Sequence, residues 1–180
     1  NDYIATVHRL DKIVGGVMVF SRRRQVTGQL TAAIARHEIT KEYLAVLRGH
    51  PEKAEDTLTD LLFRDAAHNK SYVVRRMRKG VREARLSNRE IARTEALSLV
   101  RIQLHTGRTH QIRVHMAYIG HPILGDTVYG HKKPELGQDS QCLHAGALCF
   151  RHPRDGRPVM VFAPLPDYFQ SVLDKLRKME

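Results

Sequence analysis

Residues 95–126 read EALSLVRIQLHTGRTHQIRVHMAYIGHPILGD, and this stretch decides the fold that we expect for the chain. Residues 95–104 predict a strand. Residues 108–119 predict a helix, because apolar side chains recur on one helical face, namely those of Ile112, Met116 and Ile119. A short glycine turn joins the two elements.

The turn between this strand and this helix carries groups suited to an anion. Thr106 stands where a side chain could cap the helix, and Gly120 stands where helices often end. The backbone N–H groups at the start of the helix can hold a phosphate. Arg108, His110 and Gln111 add side-chain donors at the same end, so we expect them to contact a phosphate-bearing ligand.

Outward from this stretch, the chain alternates short strands with few helices. Strands are predicted at 3–7, 16–20, 40–47, 71–75, from near Ala92, and at 141–150 and 158–162. Helices are predicted at 25–37 and from Pro166-Asp167 to Lys178. The polar residues 51–60, a basic segment around Gly80 and residues 130–140 are predicted as loops. Because strands outnumber helices and connections are short, we expect an α+β fold with a mixed, mostly antiparallel sheet flanked by helices.

Length and composition fit one domain. The chain has 180 residues, of which 42% are hydrophobic, so residues 1–180 are expected to form a single domain with a real core. No run of 18 apolar residues occurs, which excludes a membrane-spanning helix. The first ten residues lack the pattern of a secretory signal, so we expect a cytoplasmic protein without a membrane partner.

The charge of the chain points to a polyanionic partner. Lys and Arg number 30 against 19 Asp and Glu, which gives a net charge of +11. A solubility charge or a basic extension is the alternative. Because the basic residues run through the whole chain and mix with apolar positions, a nucleic acid is the favoured partner.

The cysteines and histidines do not predict a disulfide or a metal site. Cys142 and Cys149 are separated by an odd spacing on a predicted strand, so their side chains point to opposite faces. His110 and His115 are five residues apart, whereas two zinc ligands on one helical face are four apart. No metal is therefore expected.

Three groups of residues could carry chemistry. Asp11 lies in His8-Arg9-Leu10-Asp11, on a predicted loop between two strands, where a carboxylate can be aimed into a cleft or can simply form a structural salt bridge. Tyr43, on a predicted strand, could stack on a base or could be a core residue. Arg113 lies on the predicted helix, and if it is buried it needs a carboxylate, for which Asp11 is the candidate.

Taken together, these motifs resemble those of the RluA-type pseudouridine synthases. The resemblance spans about residues 7–165 and follows the family order through HRLD, KEYLAVLRG, LHTGRTHQIRVHMAYIGHPILGD with VYG, and LHAGALCFRHP. Four motifs in one order are far more specific than any single motif.

The resemblance implies an activity and roles for individual residues. The family isomerises uridines in ribosomal or transfer RNA to pseudouridine, with no cofactor and no metal. Asp11 matches the catalytic aspartate, Tyr43 the tyrosine that packs on the target base, and Arg113 the arginine that pairs with the aspartate. Arg9 matches a residue that fills the space of the extruded base. We expect an RNA-binding enzyme that is a monomer.

Two departures from the family pattern qualify this expectation. Residues 12–16, KIVGG, replace the Thr-Ser that usually precedes the glycine after HRLD, so other hydrogen bonds could hold this loop. Family members also carry a strand with a lysine-proline motif before HRLD, which predicts that an N-terminal segment is absent from these residues. A catalytically silent RNA-binding module on the same fold is the alternative function, and a zinc-dependent nucleic-acid binder is a third.

Overall fold

A computed structural model describes residues 3–138 and 140–178 of the chain. The strands within these residues are β1 Ala5–Thr6, β2 Gly15–Gly16, β3 Phe20–Ser21, β4 Thr40–Arg48, β5 Glu55–Asp65, β6 Lys70–Val74, β7 Val81–Arg93, β8 Leu97–Leu104, β9 Leu143–Arg151 and β10 Pro158–Phe162. The helices are α1 Arg24–Ala35, α2 Gln111–Tyr118 and α3 Asp167–Arg177. None of these helices is long and apolar enough to cross a membrane.

One large sheet organises the described part of the chain. Its strands follow the order β10-β9-β4-β8-β7-β5-β6, and every pair along this path is antiparallel. Strand β2 joins β9 in parallel, and β1 pairs with β3 in a separate two-stranded sheet. The predicted α+β class, with a mixed and mostly antiparallel sheet, is confirmed.

The largest core cluster joins the middle of the sheet to two helices. Strands β4 and β8 contribute side chains that are fully enclosed, such as Val46 and Ile102. Helix α2 contributes Met116 and α3 contributes Phe169, and both are completely buried. This packing fixes α2 against the sheet, and α2 is the helix that carries Arg113.

The predicted polar loop at 51–60 is wrong, because β5 begins at Glu55. The segment alternates in burial: Leu58 is more buried than its neighbours Thr57 and Thr59, and Leu62 is buried further along the strand. An edge region of a sheet can face water on one side, so a polar composition does not exclude a strand. The basic loop predicted around Gly80 is likewise shorter than expected, because β7 begins at Val81 and its polar residues can face water.

The predicted cap of α2 is also wrong. His110 occupies the cap position in a left-handed conformation, with φ 55°, and no side chain within residues 3–138 and 140–178 caps the helix. The Thr106 hydroxyl instead donates to the Gln111 side chain at 2.8 Å and accepts from the backbone N–H of Arg85 at 2.8 Å. Gly120, with φ 89°, follows the end of the helix as predicted.

The loop that carries HRLD is tied to the sheet at its C-terminal end. Gly16 has φ 133°, and a Cβ atom there would clash with the carbonyl oxygen of Ala145. The backbone N–H of the next residue, Val17, donates to that same carbonyl at 2.9 Å. Glycine at position 16 therefore allows the close approach that holds the HRLD loop against β9.

Candidate active site

A cleft of about 830 Å³ opens between the HRLD loop, the start of β4 and the turn that precedes α2. Asp11 lines this cleft, and its side chain is about a quarter exposed, at 26%. The carboxylate is thus accessible to a ligand while its loop is held by the sheet. Such a half-enclosed carboxylate is a natural reactive group for a ligand in the cleft.

Arg113 approaches Asp11 from α2. Its Nη1 atom lies 3.8 Å from Asp11 Oδ2, which is within salt-bridge distance as expected from the sequence. The Arg113 side chain is nearly enclosed, at 7% exposure, so it approaches Asp11 from the interior of the protein. Arg113 can therefore hold the Asp11 carboxylate in place from behind.

Asp126, not Asp11, is the nearer partner of Arg113. Its two carboxylate oxygens accept from Arg113 Nε at 2.7 Å and Nη2 at 2.9 Å, in a fully buried bidentate pair. The backbone N–H groups of Val128 and Tyr129 donate to Asp126 Oδ1 at 3.0 and 3.1 Å. Burial disfavours both charges, but the mutual hydrogen bonds prevail, so the pKa of Asp126 is lowered and that of Arg113 is raised.

The sequence analysis missed Asp126 as a partner, although the stretch that ends on it was part of the quoted motif. An available signal was its position before Val128 and Tyr129, because an aspartate often accepts N–H groups two and three residues further on. Asp126 binds two nitrogens of the Arg113 guanidinium, Nε and Nη2, and the third, Nη1, is left to approach Asp11.

Tyr129 completes the support of Arg113. The Arg113 guanidinium lies over the Tyr129 ring, 5.1 Å from its centroid. The Tyr129 hydroxyl accepts from the backbone N–H of Ser71 at 2.7 Å and lies 2.9 Å from His110 Nδ1. Strand β6, α2 and the loop after Asp126 are thereby joined around the arginine.

Tyr43 stands on β4 and contacts the same cleft. It is largely buried, at 8% exposure, and it belongs to the main core cluster. Burial, together with the negative charge of Asp11, raises the pKa of its hydroxyl to about 12. Tyr43 is therefore a neutral ring and hydroxyl near Asp11; it is a core residue that also lines the cleft, and its stacking on a base stays a prediction.

The four residues predicted to bind RNA separate into two groups. Arg9 is exposed, and Arg108 and His110 are partly exposed, and all three line the cleft. Arg108 Nε donates to the Glu83 carbonyl at 2.9 Å. Burial lowers the pKa of His110 although the Asp11 charge raises it, which favours a neutral imidazole.

Gln111, the fourth of these residues, is turned into the protein, and its contact with RNA stays a prediction. Gln111 is 2% exposed, and its amide group already bonds inside the protein. Its oxygen accepts from the Thr106 hydroxyl at 2.8 Å and from the Arg108 N–H at 3.0 Å, and its nitrogen donates to the Arg85 carbonyl at 3.0 Å. Gln111 instead fixes the turn that carries Arg108.

The described residues contain no group of three or more His, Cys, Asp or Glu side chains placed to hold a metal ion. Cys142 and Cys149 are free thiols. Burial raises the pKa of Cys142 to about 12, so its thiol stays protonated and unreactive.

Comparisons with known proteins identify the family of the chain. The sequence profile of the RNA pseudouridylate synthase family matches residues 1–118. The chain is 37% identical to the uncharacterized RNA pseudouridine synthase YlyB of Bacillus subtilis, over 96% of the chain and 55% of that protein. It is 33% identical to the ribosomal large subunit pseudouridine synthase C of Pasteurella multocida, over 99% of the chain and 56% of that protein.

A solved structure supports the same fold. Human RNA pseudouridylate synthase domain containing 4 superposes with a TM-score of 0.80 at 24% identity, over 97% of this chain and 76% of the human one. At this level of identity the match shows the fold alone.

The chain therefore belongs to the RNA pseudouridylate synthase family. Within it, the resemblance to the RluA-type members is confirmed by relatives such as the Pasteurella enzyme. The chain spans about half the length of the curated relatives that it matches.

Proposed function

We propose that the protein containing this chain isomerises specific uridines in ribosomal or transfer RNA to pseudouridine, with Asp11 as its catalytic carboxylate. The observation that carries the proposal is a partly exposed Asp11 held in a cleft by Arg113, which is itself fixed by the buried Asp126. Relatives named as ribosomal large subunit pseudouridine synthases favour ribosomal RNA over transfer RNA.

The proposed reaction needs no redox partner and no energy donor. The bond between uracil N1 and ribose C1′ breaks, and a bond between uracil C5 and C1′ forms. One proton leaves C5 and one is gained at N1, so atoms and electrons balance within the substrate. We therefore propose that no cofactor or metal takes part.

Asp11 can serve this reaction by any of three routes. Its carboxylate could attack ribose C1′, attack the uracil ring, or remove a proton from the ribose. In each route Arg113 is a positioning residue, because it approaches the carboxylate from the interior of the protein.

The remaining cleft residues fit a base that has left its stack. The ring of Tyr43 can lie against the flipped uracil, with stacking as the main interaction. Arg9, exposed at the rim, can occupy the space that the base vacates in the RNA. Arg108 and His110 can contact the flanking backbone from the turn before α2.

We further propose that residues 1–180 form the catalytic domain of a longer cytoplasmic protein that acts as a monomer. The curated relatives extend well beyond the matched region, since the chain covers only 55% and 56% of two of them. Assays should therefore use the full-length gene product.

Pseudouridine mapping tests the proposed function. Total RNA from cells that lack the gene is incubated with the full-length protein and compared with the same RNA incubated with heat-inactivated protein. The proposal predicts new pseudouridine at one or a few positions. Tight RNA binding without any new pseudouridine would instead support the catalytically silent module.

A further inference from the structure

Lys41 lies in the cleft without a charged partner. It precedes Tyr43 by two residues on β4, so both side chains project from the same face of the sheet and both line the cleft. Among residues 3–138 and 140–178, no carboxylate oxygen lies within 4.0 Å of its ammonium, and no hydrogen bond is formed by it. Burial alone lowers the pKa of Lys41, with no offsetting acidic group.

Gly107 explains how the ammonium fits there. A Cβ atom at position 107 would come within 3.1 Å of Lys41 Nζ, so the missing side chain leaves room for the ammonium over the turn. Gly107 does not have a positive φ, so its backbone conformation does not require glycine. The end of the lysine side chain therefore lies close to the space that a side chain at position 107 would need.

His8 and Gly107 line the same cleft as Lys41, and each has a hydrogen-bond donor to offer a ligand. His8 Nε2 accepts from the backbone N–H of Val19 at 3.1 Å, which leaves the proton of a neutral ring on Nδ1. Burial and the charge of Lys41 lower the pKa of His8, which favours that neutral form. The backbone N–H of Gly107 donates no hydrogen bond within the described residues. An ammonium, an imidazole N–H and a backbone N–H together suit an anion with several acceptor oxygens.

We infer that Lys41, with Gly107 and His8, binds one of the two phosphodiester groups that flank the target uridine. The inference rests on the proposed function, because it takes the ligand of the cleft to be RNA. Lys41 is two residues from Tyr43 along the strand, roughly 7 Å, which is the scale of one nucleotide. A base against Tyr43 thus places a neighbouring phosphate at Lys41, where a compact point charge suits it.

Two variants of the full-length protein test this site. Lys41→Met keeps the length of the side chain and removes the charge, and Gly107→Ala keeps the charge but displaces the ammonium. The matched controls are Lys53→Met, on the loop at the opposite end of β4, and Gly28→Ala, where an added Cβ meets nothing within 4 Å. Circular dichroism verifies that each variant is folded.

The first measurement is the binding of a 12-nucleotide oligouridylate across salt concentrations. Lys41→Met should raise Kd about tenfold and reduce the slope of log Kd against log salt by about 0.7, the value for one phosphate contact on a single strand. Gly107→Ala should weaken binding in the same direction, and the double variant should be no weaker than Lys41→Met. Lys53→Met and Gly28→Ala should match the wild type. An unchanged slope for Lys41→Met overturns the inference, whether or not the protein forms pseudouridine.

The second measurement uses the RNA in which pseudouridine is found, with a single uncharged methylphosphonate placed on either side of the target uridine. At one of these two positions the methylphosphonate should raise KM of the wild type about tenfold and leave KM of Lys41→Met unchanged. The kcat of the two proteins should be similar. The opposite result would be a lower kcat for Lys41→Met, together with methylphosphonate effects on KM that are the same in Lys41→Met and in the wild type at both positions. In that case the lysine contacts the reacting base and the phosphate assignment is wrong. Failure of the wild type to form pseudouridine would contradict the proposed function, and the oligouridylate experiment would still decide the role of Lys41.

Discussion

The buried pair of Arg113 and Asp126 should dominate the stability of the site, and a double-mutant cycle can measure it. Asp126→Asn keeps an oxygen that can accept the backbone N–H groups of Val128 and Tyr129, but it leaves the enclosed Arg113 without its nearest counter-charge. Removing one member of a buried ion pair costs about 3–5 kcal/mol, because the other charge stays buried and unpaired. For a domain of this size, a loss of 1 kcal/mol lowers Tm by about 2–4 °C, so a fall on the order of 10 °C is expected.

The cycle compares the wild type, Arg113→Met, Asp126→Asn and the double variant by urea unfolding of the same chain. Each single change should lower the free energy of unfolding by the amount above. The double variant leaves no unpaired buried charge at this pair, so its loss should fall short of the sum of the two by about 1–3 kcal/mol. Additive losses, or single losses below about 1 kcal/mol, would refute the view that this pair fixes Arg113.

The pH dependence provides an independent check on the same pair. The folded pKa of Asp126 is lowered from its ordinary 3.8, so its contribution to stability is complete above that pH. This contribution is lost as the pH falls from 3.8 toward the folded pKa. Asp126→Asn should lack that part of the acid destabilisation, and an identical acid limb in both proteins would contradict the assignment.

Three further predictions concern single positions. Tyr43→Phe should retain part of the single-turnover rate, whereas Tyr43→Ala should lose about 1–3 kcal/mol of stacking, and equal rates for the two variants would contradict a stacking role. The ring nitrogens of His115 are buried and form no hydrogen bond with any residue that the structure describes. Its Nε2 lies 3.8 Å from Asp60 Oδ2, and burial lowers the pKa of His115 below 6.5. His115→Met should therefore raise the free energy of unfolding by about 1 kcal/mol. The gain should be larger at pH 5 than at pH 8, because the wild type loses stability as the pH falls below 6.5. A variant that is less stable than the wild type at both pH values would show that the histidine is stabilising. Gly16→Ala should lower Tm by several degrees in a thermal scan. Residue 16 has a positive φ that disfavours alanine, and the new Cβ would clash with the carbonyl of Ala145. An unchanged Tm would show that the close contact is not needed.

Local patterns in the sequence predicted the elements that carry the site. The strand at 95–104 and the helix after it were evident from their spacing, and the structure has them as β8 and α2. The approach of Arg113 to Asp11 followed from the family resemblance and from the need of a buried arginine for a carboxylate. These inferences depend on chemistry within a few residues or on an ordered set of motifs.

The features that the sequence did not predict depend on choices among equivalent partners. Arg113 could pair with any nearby carboxylate, and only the packing of the loop after α2 selects Asp126. Gln111 was predicted to face RNA because an amide can donate anywhere, yet the turn uses its hydrogen bonds internally. The polar start of β5 was predicted as a loop because composition does not reveal that one face of a strand meets water. The bonds of Arg113 to Asp126 and of Gln111 to Arg85 join residues 13 and 26 apart, which a local pattern does not relate.

Formation of pseudouridine by Asp11→Asn tests the central claim most directly. The full-length wild type and variant are treated with chelator and mixed in excess with the RNA that mapping identifies, and the product is measured in a single turnover. Asp174→Asn, at an exposed position on α3, is the matched control. The account predicts normal product with the wild type and the control, and a fall on the order of 10⁴-fold with Asp11→Asn while RNA binding persists. Turnover by Asp11→Asn near the wild-type rate, or loss of wild-type activity that zinc restores, would contradict it.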